Sequence, residues 1–259
     1  MGTHDFAVRE VVQETPRAAI LRLDAGRDAV PFDAGQAALV GLADRAGRKP
    51  YSIACSPEHS ARSGVLEFLI EAGDGGQPGP HLTGVRPGSR VAVEGPIGGF
   101  ILPRILRRRE LLFIAGGTGI APLRAMIGSA LTRPHPPGMT LIYSARTPKE
   151  FAFRRELAGL ARRRQLRLCM TATREHGASW RGRRGRIQPE WIDAFVERRS
   201  PLCFVCGPDG FVEHLRGMLM AGGIPESDVR REQWGQVQNI SPSPSRLSRS
   251  PSRGIPSPP

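Results

Sequence analysis

Residues 111–123, LLFIAGGTGIAPL, set an apolar run directly before three glycines and a helix-forming stretch. Leu111 to Ala115 reads as a buried parallel strand. Gly116, Gly117 and Gly119 allow close backbone approach and unusual φ, and a helix starting near Ala121 turns its unbonded N–H groups toward an anion. Pro122 falls in the first helical turn, where its missing donor costs little. It also stands where the third glycine of a G-x-G-x-x-G fingerprint would be, so that pattern is half met. Taken alone, the stretch is either a pyrophosphate cradle or a tight turn without a ligand.

Downstream the grammar is strand, glycine turn, helix, repeated: TLIYSA, LRLCMTA and LCFVC as strands, with APLRAMIGSAL, a helix over 148–163, PEWIDAFVE and a helix over 209–221 between and after them. Alternation of this kind implies a parallel sheet covered on both faces. Thr147, Pro148 and Glu150 supply an N-cap, a first-turn proline and a capping box for the helix at 148–163. The 209–221 helix buries Phe211, Val212, Leu215, Met218 and Leu219 and ends at Gly222. Upstream, six short runs separated by Gly and Pro (FAVREVV, AAILRL, QAALVGL, YSIAC, VLEFLIEA, SRVAVEG) contain no helix and read as a small antiparallel barrel. In VLEFLIEA, Leu66, Phe68 and Ile70 share one face, opposite Val65, Glu67, Leu69 and Glu71.

Two domains therefore fit the 259 residues: 1–103 as barrel and 104–235 as α/β unit. Residues 236–259 are Ser/Pro/Arg-rich with almost nothing to bury, and read as disordered. No apolar run is long enough to span a membrane and no apolar leader opens the chain, so the expected location is cytoplasmic. The net charge of +13 is carried mostly by arginine and suits an acidic partner or a phosphate. Two Tyr and three Trp, without aromatic–basic interleaving, argue against nucleic acid. The four cysteines are too scattered for a disulfide framework and lack iron–sulfur spacing. Cys203 and Cys206 form C-x-x-C, but at a strand end and not at a helix start, which excludes a thioredoxin-like dithiol. No metal site is expected.

A second cluster, KPYSIACSP at 49–57, offers a cation in Lys49, a flat ring in Tyr51 and a short hydroxyl in Ser52. Adjacent strand residues point to opposite sides, so Tyr51 and Ser52 could meet the face and the edge of one aromatic group. An ordinary barrel strand is the competing reading.

The ordered set PFDAGQ, KPYSI, VRPG with VEGPIGGF, AGGTGIAPL, YSARTPKE, TREHGASWRGRRGRI, VCGPDGFV and REQW resembles the ferredoxin–NADP reductase family over residues 5–235. That resemblance implies a six-stranded antiparallel Greek-key flavin barrel joined to a Rossmann-like nicotinamide domain. It implies that Lys49 and Pro50 lie at the flavin phosphate, with lysine where the family usually has arginine. Tyr51 would pack on the isoalloxazine, Ser52 would bond near N5, and the backbone of Ile53 and Ala54 would support the ring. The loop with Gly79, His81 and Leu82 would meet the pyrophosphate, with glycine where a Ser or Thr is frequent. Gly117, Thr118, Gly119 and Pro122 would form the nicotinamide-nucleotide turn, and Cys206, Gly207 and Pro208 would sit beside the nicotinamide. Arg146, Thr173, Arg174 and Arg186 would grip a 2′-phosphate. Glu232 would tune protons and Trp234 would cover the ring, against the simpler reading of a terminal strand with an exposed glutamate.

The implied cofactors are FAD rather than FMN, and NADPH with NADH as the alternative. The implied activity is hydride transfer from NADPH to flavin N5, then electron delivery to an acidic ferredoxin or flavodoxin by a monomer. The rival readings are an NADH-using reductase component of an oxygenase or larger complex, and a non-catalytic nucleotide-binding regulatory module.

Overall fold

The computed structural model describes residues 2–26, 30–72, 79–106, 109–175, 177–196 and 201–234; the expected disordered tail lies outside them. Six N-terminal strands form one sheet: β1 (Gly2–Thr15), β2 (Ala18–Asp24), β3 (Ala37–Leu42), β4 (Lys49–Ser52), β5 (Val65–Glu71) and β6 (Arg90–Ile97), in the order β4-β3-β6-β1-β2-β5 and antiparallel throughout. A bridge between Ile53 and Phe68 closes β4 onto β5 and makes the barrel. Its interior holds Leu21, Leu23, Val40, Leu66, Phe68, Ile70, Leu82 and Val91.

The barrel is not free of helix. Helix α1 (Pro57–Ser63) follows β4: the Ser56 hydroxyl accepts from the His59 N–H, Pro57 occupies the first turn, and Gly64 closes it in the left-handed region at φ 66. Both faces of β5 are buried. Every residue from Val65 to Ile70 is buried, Leu66, Phe68 and Ile70 in the barrel and Leu69 in a second cluster shared with the C-terminal half.

That half is a six-stranded parallel sheet: β7 (Leu111–Gly116), β8 (Met139–Ala145), β9 (Arg167–Ala172), β10 (Arg183–Arg184), β11 (Leu202–Pro208) and β12 (Val229–Trp234), ordered β10-β9-β8-β7-β11-β12. Helices α2 (Ile120–Leu131) and α3 (Arg154–Arg162) cover one face; α4 (Pro189–Val196) and α5 (Asp209–Ala221) cover the other. Strand order reverses direction at β7, so the crevice at the carboxyl ends of β7 and β11 is a topological switch point, where open α/β sheets take ligands.

The helix expected over 148–163 is interrupted. Pro148–Glu150 makes one 3-10 turn, Phe151, Ala152 and Phe153 drop into the core, and α3 begins only at Arg154. Their apolar side chains gain more by burial than the backbone loses by leaving the helix; Phe153 takes φ 57 to make the turn. The Thr147 hydroxyl does not cap the backbone and faces Glu150 Oε1 at 3.4 Å.

The two halves share a core and a buried charge network. Arg124 of α2 reaches across to the barrel, its Nη1 donating to Glu67 Oε2 at 2.6 Å and to the Ala54 carbonyl at 2.8 Å. Its Nε donates to Glu156 of α3 at 2.9 Å, and its guanidinium lies 4.3 Å from the centre of the Phe153 ring. Glu67 also accepts from Arg22 Nε at 2.6 Å. Burial alone would raise the Glu67 carboxyl; Arg124 and Arg22 overcome it and hold the group below the usual range. Further polar links are Glu14 Oε1 accepting from the Phe153 N–H at 2.6 Å and Ser129 donating to Glu58 at 2.8 Å. Removing one partner of a buried pair strands the other charge, which costs about 3–5 kcal/mol. Arg124→Met is therefore expected to lower the unfolding free energy by about that amount, read from the midpoint of a urea titration at constant m; a loss below about 1 kcal/mol would remove this network from the account.

Candidate functional site

The glycine turn is built by contacts that exclude side chains at two of its positions. A Cβ on Gly119 would stand 2.3 Å from the Cys206 carbonyl oxygen and 2.8 Å from the Gly207 nitrogen, and one on Gly116 would meet the Phe211 ring at 3.0 Å. Gly207 is closed in the same way, with Phe211 at 2.8 Å and the Gly116 Cα at 3.2 Å. The turn after β7 thus lies flat against the end of β11. Gly117 differs: it is exposed, takes φ 56, and has nothing within 4 Å of where a Cβ would be. Of the three glycines only this one uses positive φ. Its carbonyl is fixed by the Tyr143 hydroxyl at 3.0 Å, and the same hydroxyl accepts from the Ala152 N–H at 3.2 Å. Thr118 is half-buried and Pro122 is buried in the first turns of α2. Backbone packed tightly on one side and open on the other is the shape a phosphate-bearing nucleotide requires.

Strand register places Ala115, Cys206 and Glu232 in one row across β7, β11 and β12, and Pro208 opposite Trp234 at the end. Cys206 is fully buried and Pro208 exposed; the Trp234 side chain lies outside the described residues. Cys203 packs in the cluster under α5 and Cys206 in the cluster under α2, so the two thiols occupy opposite faces of the sheet, too far apart in direction to pair.

Glu232 is not an exposed strand residue. It is half-buried, and Ser52 of β4 donates to its Oε2 at 3.1 Å, joining the barrel to the last strand of the other half. Burial pushes its carboxyl up to about 7, with Ser52 opposing in part. Gly98 lies beside the same carboxylate, and its carbonyl accepts from Gln36 Nε2 at 3.2 Å.

Tyr51 goes the other way, as neighbouring strand residues must. Its hydroxyl lies 2.8 Å from His81 Nε2 and the rings stack at 5.7 Å. Burial, with Glu71 adding, raises the phenol to about 12; burial, with Lys49 adding, lowers His81. Lys49 and Pro50 are exposed on β4, Gly79 sits beside Lys49 and His81, and Leu82 is an anchor in the barrel core. The N–H groups of Ile53 and Ala54 bond to the Gln36 and Glu67 carbonyls, so what this segment offers a ring is shape.

Arg146, Thr173, Arg174 and Arg186 gather at the carboxyl ends of β8, β9 and β10. The Arg174 N–H donates to the Arg146 carbonyl at 2.8 Å and the Thr173 N–H to the Ala145 carbonyl at 2.9 Å; the Thr171 hydroxyl donates to the Gly185 carbonyl at 2.7 Å, drawing in the Arg186 segment. Arg146 is taken by Glu150 at 2.9 Å, whereas Arg174 and Arg186 are exposed and have no carboxylate partner among the described residues. The expected site residues therefore fall into three groups, at Tyr51–His81, at Ser52–Glu232 with the glycine turn, and at the arginine edge. Sequence reasoning missed Tyr143, Phe211 and Arg124. Tyr143 and Phe211 carried no signal beyond strand and helix periodicity, and Arg124 acts through partners remote in sequence.

Two known domain descriptions match this chain: an oxidoreductase FAD-binding domain over residues 5–101 and an oxidoreductase NAD-binding domain over residues 113–217. Ferredoxin–NADP reductase B of Sorangium cellulosum is 30% identical over 213 residues, 78% of this chain and 85% of that protein. The anthranilate 1,2-dioxygenase electron transfer component of Acinetobacter baylyi is 27% identical over 88% of this chain, which spans 65% of that protein's length. Among solved structures, a ferredoxin NADP+ reductase from Neisseria gonorrhoeae with bound FAD and NADP superimposes with a TM-score of 0.73 at 21% identity, covering 90% of this chain and 99% of that one. A cytochrome P450 reductase from Amycolatopsis gives 0.77 at 24%, covering 90% and 70%. At these identities the structures show a shared fold.

Gly119→Ala is expected to lose both stability and equilibrium binding of a pyridine nucleotide. Gly117→Ala pays only the left-handed backbone cost of about 1–2 kcal/mol and keeps the fold. Equal losses in the two variants, by urea unfolding, would contradict the packing described. Glu232 makes a second, pH-linked expectation. Between its ordinary value of 4.5 and about 7 the folded chain holds a proton the unfolded chain has released, so stability falls as pH rises through that window. Glu232→Gln should flatten the slope; an unchanged slope would show that Glu232 does not titrate there.

Proposed function

The chain belongs to the ferredoxin–NADP reductase-like family of FAD- and NAD(P)-binding oxidoreductases, and on that premise we propose that it draws on NADPH and delivers electrons to an acidic ferredoxin or flavodoxin. A flavin bound against the barrel would supply the chemistry, acceptance of hydride from reduced nicotinamide and release of electrons singly or in pairs. The residues present fit such a group: Tyr51 offers a ring and Ser52 a hydroxyl on opposite sides of β4, and the open Gly117 backbone leaves room for a nucleotide. What the protein contributes is orientation. Gly119 against Cys206 sets how far a nicotinamide nucleotide can settle toward the end of β11. Burial holds a proton at the Glu232 carboxyl, across the seam of the two halves, at near-neutral pH, and the Ser52 hydroxyl that donates to it opposes this in part.

The observation that carries the NADPH preference is the pair Arg174 and Arg186, exposed beside Thr173 and without a carboxylate partner among the described residues. A phosphate dianion rewards free guanidinium forks, and Arg146 is already paired with Glu150. The net charge of +13 supports an acidic protein as acceptor. A reductase component of an oxygenase is the second reading, favoured by the relative from Acinetobacter baylyi.

Purified protein should be yellow and bleach on NADPH addition. The ratio of kcat/KM for NADPH over NADH should exceed one and fall about tenfold or more in Arg174→Ala, the worth of a charge-assisted hydrogen bond. Equal efficiency with the two nucleotides in the unaltered protein would overturn the preference.

A further inference from the structure

Two of the three glycines in the turn after β7 are held by packing and one is not. Gly116 and Gly119 lie against Phe211 and the Cys206 carbonyl, whereas Gly117 is exposed, takes φ 56 and has nothing within 4 Å of its missing Cβ. A glycine without packing can turn its peptide planes at little steric cost, so the orientation of the Gly117–Thr118 peptide falls to hydrogen bonds. The Gly117 carbonyl has two lone pairs. One faces the Ile120 N–H, a donor divided between the Gly117 and Thr118 carbonyls. The other is taken by the Tyr143 hydroxyl at 3.0 Å.

Tyr143 is itself held from several sides. It is fully buried, its ring meets Phe151 edge-on at 5.0 Å, and burial keeps the phenol protonated. The Ala152 N–H donates to its oxygen at 3.2 Å, which leaves the O–H to donate to Gly117. That N–H is available because residues 151–153 depart from the helical path; in an unbroken helix over 148–163 it would bond to the carbonyl four residues back. One chain of donors, Ala152 N–H to Tyr143 O–H to Gly117 C=O, therefore joins the break before α3 to the glycine turn. A trans peptide is planar, with its C=O and N–H on opposite sides. A Gly117 carbonyl drawn in toward Tyr143 turns the Thr118 N–H away from the core, and Thr118 belongs to the 3-10 turn that leads into α2, where the first N–H groups have no partner within the helix.

We infer that Tyr143 is a positioning residue for the nicotinamide nucleotide: through the Gly117 carbonyl it aims the Thr118 N–H outward at the ligand, from inside the core and without touching the ligand itself. The inference rests on the reading of the glycine turn as the nucleotide cradle. It gives the broken helix a task, since a continuous one would consume the Ala152 N–H that orients the hydroxyl. It also separates two properties. The group that the Thr118 N–H can reach, a pyrophosphate oxygen, is common to NADH and NADPH, so Tyr143 governs how firmly either is held and has no part in choosing between them.

Tyr143→Phe removes one oxygen and keeps the ring. In the full-length chain as purified, the dissociation constants of NAD+ and NADP+, measured by titration calorimetry, should both rise by about twofold to tenfold, the span of one neutral hydrogen bond, and by the same factor. Backbone amide NMR supplies a reading that lost packing alone would not give. In the unaltered chain the Thr118 amide should be sharp and should shift on addition of inorganic pyrophosphate; in Tyr143→Phe it should broaden through microsecond-to-millisecond exchange. The measurement on the unaltered chain stands whether or not the variant folds. Unchanged affinities in a folded Tyr143→Phe, unequal losses for the two coenzymes, or a Thr118 amide indifferent to pyrophosphate would each overturn the inference and leave the cradle in place. An unaltered chain that binds neither NAD+ nor NADP+ would overturn the cradle itself.

Discussion

Arg124 is the constraint on which the rest of the architecture depends. A guanidinium taken this far out of water is tolerable only if its donors are filled, and the donors are filled by groups from three places: Glu67 on a barrel strand, the Ala54 carbonyl after the Tyr51–Ser52 strand, and Glu156 on the helix packed beside it. Each partner is itself tied elsewhere. Glu67 is shared with Arg22, and the Ala54 N–H bonds back to the Glu67 carbonyl. The network thus fixes the segment 51–54 relative to α2, and α2 begins in the glycine turn. The strand that carries Tyr51 and the turn that carries Gly117 are thereby set at one mutual position by charges that touch neither residue.

Around that anchor the two halves meet through apolar and polar contacts of different kinds. Leu69 and Ala54 join Phe113, Tyr143 and the buried face of α2 in a single cluster, so the barrel wall is also the floor of the α/β half. Ser52 and Glu232 meet at the opposite margin of the seam, where burial leaves the carboxylate close to neutrality. One interface thus joins a paired ion network to a single carboxyl whose charge is readily changed.

Much of this was legible locally. The glycine turn, the β–α alternation and the barrel strands follow from periodicity and composition over a few residues, and the structure reproduces their order. Where the reading failed, a longer-range term decided. The segment 148–163 has helical periodicity throughout, but Phe151 and Phe153 are drawn into the core and break it. Glu67 shares its face of β5 with Val65 and Leu69, and nothing nearby in the chain announces its partner Arg124, 57 residues on. Helix α1 did carry signals, with Ser56 and Pro57 at its start and Gly64 at its end, yet spans only seven residues between strands. The Tyr51–His81 contact joins two segments 30 residues apart and has no local signature.

The flat seating of Gly119 on the Cys206 carbonyl has a consequence for how this protein can change. Position 119, packed against backbone, tolerates no side chain, so variation there is barred whatever nucleotide is in use. The arginine edge at the ends of β8 to β10 is exposed and makes few obligatory contacts. On the proposed reading, holding a nucleotide and telling one nucleotide from another fall to separate parts of the sheet, one closed to side chains and one open to substitution, so coenzyme choice would be exchangeable without rebuilding the cradle.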